Sequence, residues 1–175
     1  MTPKSFQFGS INSVDDLGVY VIYQDVFLPQ KRERKIRIPL RDGMYDYGAQ
    51  NFEERALTLD CLVDRKLSRG ELREISYALS GKKRLTLFTE PDKYYVGELY
   101  EAPEIVDFPE QVKTQFVLRF VCEPFAYRET CAVPIADGAN QVLYGGTAEA
   151  PCIIVLRNEG TEPVANITVT LTRTV

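Results

Sequence analysis

Carboxylates and thiols are the groups in this chain that could do chemistry, because its 175 residues include no histidine. That absence removes Ser-His-Asp and Cys-His catalysis and the commonest transition-metal ligand. Two adjacent acidic pairs, Asp15-Asp16 and Glu53-Glu54, suggest acid/base work by their residue type. Their spacing argues against it. Neighbours on a strand point to opposite faces, so Glu53 and Glu54 do not converge. Asp15-Asp16 falls in a turn-forming stretch, where aspartate serves the backbone. Asp42, Asp46 and Asp60 lack the DxDxDG spacing of a calcium loop. Gly145-Gly146 is followed by no lysine and hydroxyl residue, so it is not a phosphate loop. Cys61, Cys122, Cys131 and Cys152 form no CxxC pair. They are expected as reduced thiols buried in the core, where cysteine behaves as a small hydrophobe. No catalytic residue, metal ligand or cofactor is expected, and the chain reads as a non-enzyme.

Two other groups of residues point to contact rather than chemistry. The basic run Lys31, Arg32, Arg34, Lys35 and Arg37 sits in a chain of net charge −4. A nucleic-acid binder carries a basic excess, so no direct, specific nucleic-acid partner is expected. The run reads as a solvated strand face or as one side of a subunit salt bridge. Tyrosine and arginine are favoured at protein–protein interfaces, and tyrosines gather near the turns. The candidate subunit or partner interface is therefore Arg32, Arg34, Arg37, Arg41, Asp42, Tyr45, Tyr47, Tyr94 and Tyr95. The alternative is a carbohydrate-binding β module using Tyr45, Tyr47, Tyr94 and Tyr95, weakened by the absence of tryptophan.

The elements that would position these residues are mainly strands. A hydrophobic share of 45% and a charged share of 26% fit a globular chain. No run approaches the roughly 20 apolar residues of a membrane helix, and Met1 to Gln7 has no signal-peptide core. No membrane partner is expected, and synthesis is placed in a cytoplasm. Leu17 to Phe27 reads as a strand that Pro29 ends. Lys35 to Ile38 alternates charge with isoleucine, the mark of a half-buried strand. Asp42-Gly43 signals a tight turn. Leu57, Leu59, Cys61 and Val63 share one face of a long strand over 54–63. Ser68 and Glu71 form a capping box for a helix whose stripe is Leu72, Ile75 and Leu79, with Gly81 as its stop. Further strands are expected over 84–88, 94–100 and 112–122, the last with Phe116, Leu118, Phe120 and Cys122 on one face. Its other face, with Val117 and Val121, is suited to a second surface. After Pro124 the texture loosens, with further strands at 152–156 and 166–171.

The order of motifs resembles the distal tail protein family of long-tailed siphophages and their prophages. The resemblance is carried by DDLGVYV (15–21), RERKIRIPLRDGMYDYG (32–48) and FEERALTLDC (52–61). It continues through ELREISYAL (71–79), LFTEPDKYYVGEL (87–99) and LRFVCEPFAY (118–127), about the first 127 residues. The family pattern often has glycine at the place of Leu40. The resemblance implies a mainly β (α+β) chain. Residues 1–130 would be a β-sandwich or barrel-like ring-forming domain with one packed helix. Residues 131–175 would be a short β-hairpin-like segment resembling the start of a galectin-like domain, from GGTAEAP (145–151). It implies a structural virion protein at the tail tip, made in the host bacterial cytoplasm. Its partners would be itself, as a hexameric ring, the tail tube protein, the tape-measure protein and the tail-associated hub protein. Receptor-binding proteins would be anchored to it.

Overall fold

The computed structural model describes residues 4–33, 35–46, 51–100, 112–163 and 165–172. In chain order the elements are β1 (Phe6–Phe8), β2 (Ile11–Asn12), β3 (Tyr20–Val26), β4 (Lys35–Ile36) and β5 (Tyr45–Asp46). Then come β6 (Arg55–Val63), α1 (Arg69–Ala78), β7 (Lys83–Leu87), β8 (Tyr95–Leu99) and β9 (Thr114–Cys122). The chain is mainly β, with one helix among the described residues. It divides into two units, Met1–Pro134 and Ile135–Val175.

In the first unit, seven strands form an antiparallel sheet in the order β2-β1-β7-β8-β9-β6-β3. Its centre is the pairing of β6 with β9 over their full length, Arg55 opposite Cys122 through Val63 opposite Thr114. Alternation fixes which face is inside. Leu57, Leu59, Cys61 and Val63 on β6, and Phe116, Leu118, Phe120 and Cys122 on β9, are all buried. A strand that slipped by one residue would turn that whole set to solvent.

The sheet curls strongly. β1 and β9 are three strand spacings apart, about 14 Å in a flat sheet. Yet the Phe8 and Phe120 rings lie 5.3 Å apart and the Phe6 and Phe120 rings 6.0 Å. The far edge also returns to the first strand: the Val21 amide of β3 donates to the Lys4 carbonyl at 2.9 Å. The result is a barrel-like enclosure with β3 and the start of β1 at its seam. Ile75 and Leu79 of α1 join the same core, with Leu72 packed against it. The helix begins as its sequence requires. The Glu71 amide donates to Ser68 Oγ, and the Ser68 amide donates to the Glu71 carboxylate at 2.7 Å. Gly81 takes the left-handed φ of +78° two residues past the Leu79 cap.

Of the acidic pair at the first turn, the Asp16 side chain serves the backbone. Asp16 Oδ2 accepts the Asn12 amide at 2.7 Å and Asn12 Oδ1 accepts the Val14 amide at 2.9 Å. Two expectations for the first unit need correction. Lys35 to Ile38 is not a half-buried strand: only Lys35–Ile36 pairs, and Ile36 and Ile38 are exposed. The alternation there has no layer to pack on. Cys131 is exposed, unlike Cys61 and Cys122.

The second unit holds no strand or helix among its described residues. The strands expected at 152–156 and 166–171, and with them the hairpin-like segment, do not form. Cys152, Ile153, Val155 and Leu171 are exposed there. Strand propensity alone is not enough, because a two-stranded hairpin without a packing surface is marginal in water.

Candidate assembly interface

Between β3 and β6 the chain leaves the enclosure as a two-stranded ribbon and returns. Its pairing starts with the bridge between Lys31 and Phe52. The Arg32 amide donates to the Asn51 carbonyl at 2.7 Å, and the Glu53 amide to the Gln30 carbonyl at 2.8 Å. Farther out β4 pairs with β5, Lys35 opposite Asp46 and Ile36 opposite Tyr45. Arg37 to Asp42 line a concavity at the tip. The turn contains Gly43 at φ +81° and Leu40 at φ +65°. Glycine takes that left-handed region freely, whereas leucine there is strained.

The ribbon carries a large apolar load that is left exposed. Leu28, Ile36, Ile38, Leu40, Met44 and Tyr45 are all exposed. Its charges are partly matched, one pair across the ribbon and one along it. Arg32 binds Glu53 through both Nε and Nη2, at 2.7 and 3.2 Å, and Lys35 pairs with Glu33 at 2.7 Å. The Glu53 carboxylate is held below its ordinary range by that hydrogen bond, and the Arg32 guanidinium is raised by it. The Arg41 guanidinium lies over the Tyr45 ring at 5.4 Å.

The root of the ribbon is held by a residue that the interface reading did not include. Arg55 opens β6 on its inward face and is only 8% exposed. Its Nε donates to the Phe27 carbonyl at 3.0 Å, its Nη2 donates to the same oxygen, and its guanidinium sits 5.1 Å from the Tyr95 ring. Tyr95 Oη donates to Glu90 at 2.7 Å. The Phe52 and Phe125 rings meet edge to face at 5.1 Å, bracing the returning strand. The signal for Arg55 was its parity: it stands two residues before Leu57 in the buried alternation.

The nine expected interface residues therefore separate. Arg32, Arg37, Arg41, Asp42 and Tyr45 belong to the ribbon. Arg34 and Tyr47 lie outside the described residues. Tyr95 is corrected: it is 3% exposed, and burial together with the Glu90 hydrogen bond pushes its hydroxyl up to about 12. It faces the core because it has the same parity as Gly97, opposite Cys122. Tyr94 is half-buried in a separate cluster. It stacks on Tyr127 at 5.8 Å, with Arg84 4.3 Å above its ring, and exchanges both backbone hydrogen bonds with Tyr127. These contacts fix where the chain leaves the last strand. Among the described residues the tyrosines of the sugar-platform alternative do not converge: Tyr45 stands on the ribbon, Tyr94 is stacked within the chain, and Tyr95 is buried.

Among the described residues, no group of three or more His, Cys, Asp or Glu side chains is arranged to hold a metal ion. No helix is long and apolar enough to cross a membrane.

No protein-family model matches the chain, and no curated protein matches it by sequence. Its fold is similar to that of the Dit (gp 19.1) protein of phage SPP1. That structure is described as a paradigm of the hub adsorption apparatus of phages infecting Gram-positive bacteria. The two share 20% identity with a TM-score of 0.56, over 71% of this chain and 52% of that one. The chain thus matches about half the length of the phage protein, and at this identity the likeness is one of fold.

Proposed function

We propose that this chain is a structural subunit of a phage or prophage tail tip. It self-associates into a ring, hexameric in its complete form, that joins the tail tube to the baseplate hub. Its work is contact rather than catalysis. The tail tube, tape-measure and hub proteins are its neighbours in the virion, and receptor-binding proteins attach to the hub so formed.

The observation that carries this reading is the ribbon built on the Lys31–Phe52 bridge and the β4–β5 pair. Leu28, Ile36, Ile38, Leu40 and Met44, on or beside the short β4–β5 pair, are all exposed. Such an arm is marginal in isolation, and clustered exposed apolar surface marks a contact site. The motif order over 15–127 and the fold likeness to a phage hub protein support the same reading. Size exclusion coupled to light scattering, across a wide concentration range, is the test. Mass should rise with concentration toward one closed species, seen as rings in negative stain. A strict monomer at every concentration would sink the proposal.

A further inference from the structure

Residues 123–129, where the chain leaves β9, are tied down at every second position, and each tie reaches a different place. The Glu123 amide donates to the Val96 carbonyl of β8 at 2.8 Å. Its carboxylate accepts from Lys82 Nζ at 2.6 Å and from the Tyr127 hydroxyl at 2.8 Å. The Phe125 ring meets Phe52 at the root of the ribbon. Tyr127 exchanges both backbone hydrogen bonds with Tyr94 and stacks on its ring. Glu129 pairs with Arg84 of β7, whose guanidinium also covers the Tyr94 ring. One short strap thus joins the ribbon root, β8 and β7.

Burial does little to hold this strap. Ala126 packs against the core, but Tyr127, Arg128 and Glu129 are exposed. The Arg84 and Glu129 side chains are both more than half exposed, and an ion pair in that setting is worth little. A single ring pair adds only modestly. No one tie is strong enough to hold the segment alone. The ties lie in series along one stretch of backbone, so losing one leaves its neighbours to close a longer loop. Segments of this kind open as local cooperative units, well before the fold as a whole.

We propose that residues 123–129 form a latch that opens and closes as one unit and couples the ribbon root to the exit of the chain from β9. When it is closed, Phe125 braces Phe52 and the Lys31 bridge beside it, while Tyr127 and Glu129 hold the departing chain to Tyr94 and Arg84. Whatever immobilises the ribbon root therefore tightens the far end of the strap without touching it. The reverse holds equally, because coupling between two sites is reciprocal. The latch stands apart from the assembly reading above, since each of these contacts lies within one chain.

Hydrogen exchange on the full chain tests the latch from both ends. Phe52→Ala removes the tie at the ribbon and leaves the Tyr94 and Tyr127 amides to report the far end; Phe52→Leu replaces it if that variant does not fold. Arg84→Gln removes the tie at β7 and leaves the Arg32 and Glu53 amides, hydrogen-bonded across the ribbon root, to report the other end. Each reporter should exchange about fivefold faster than in the parent, the size of one ring–ring or cation–ring contact. The Asp16 amide, bonded to the Asn12 carbonyl in the first turn, should keep the parent rate. A reporter that stays at the parent rate in either variant overturns the latch, because its tie is then independent of the others. An Asp16 amide that quickens as much as the reporters also overturns it, because the fold has then loosened as a whole.

Discussion

Arg55 shows how one side chain can decide where an exposed element starts. A guanidinium inside an apolar enclosure needs its donors satisfied, and here the Phe27 carbonyl takes two of them while the Tyr95 ring covers the cation. Phe27 follows the end of β3 at Val26 and leads into the ribbon, so the same bonds anchor the ribbon root. Arg55→Met keeps much of the volume but strands a carbonyl. It should cost about 2 kcal/mol in chemical unfolding. Hydrogen exchange should quicken over 28–54 while β6 and β9 amides stay protected, and uniform loss of protection would refute the anchoring role. Glu71 is the other residue with a distinct signature. The Ser68 amide and hydroxyl, with Arg65, bring its carboxyl down to about 2 from an ordinary value of 4.5. A depressed carboxyl stabilises the fold above its unfolded value, and that contribution is lost as pH falls through the folded one. Glu90 and Glu123 are lowered by their lysine partners and act in the same direction. Thermal midpoints should therefore drop between pH 4.5 and about 2. Glu71→Gln should lower the neutral midpoint and flatten that drop; an unchanged acid limb would argue against the cap's contribution.

At the scale of elements, β8 and β9 approach too closely for a side chain at one position. A Cβ on Gly97 would stand 2.6 Å from the Val121 carbonyl oxygen and 2.9 Å from Cys122 Cα. Neither neighbour is a flexible side-chain end, so the strands themselves would have to part. Gly97→Ala should destabilise by about 2 kcal/mol or more, read as a shift in denaturant midpoint; a shift within experimental error would contradict the packing. Much of this level was legible in sequence. The alternations at 57–63 and 116–122 repeat every second residue over strands of nine, long enough to mark both faces. The capping box at Ser68 and Glu71 is a local device, complete within one turn. Lys35–Ile38 and the runs at 152–156 and 166–171 misled because they have strand pattern without a partner layer. Alternation records what a strand would bury, not whether anything lies above it.

At the scale of the whole molecule, the proposed assembly makes the ribbon the place where folding and self-association can be separated. Leu40 is fully exposed and sits at φ +65°, so replacing it with glycine removes strain that costs a leucine about 1–2 kcal/mol. Part of that gain is offset by the greater freedom of glycine in the unfolded chain. Leu40→Gly should leave stability unchanged or slightly raised, while weakening assembly through the lost apolar contact. A variant that assembles as well as the parent would place the interface elsewhere. The absence of histidine, the buried alternations, the helix and its cap, and the basic run were all set by the sequence alone, because each is composition or depends on residues a few positions apart. Tertiary structure decided the rest. It curled seven strands until Val21 met Lys4, a contact between residues 17 positions apart in sequence and five strands apart in the sheet. It sent Tyr95 into the core while Tyr94 stacked on Tyr127, and it left the ribbon uncovered. Burial depends on which surfaces meet after long loops close, and no local spacing encodes that.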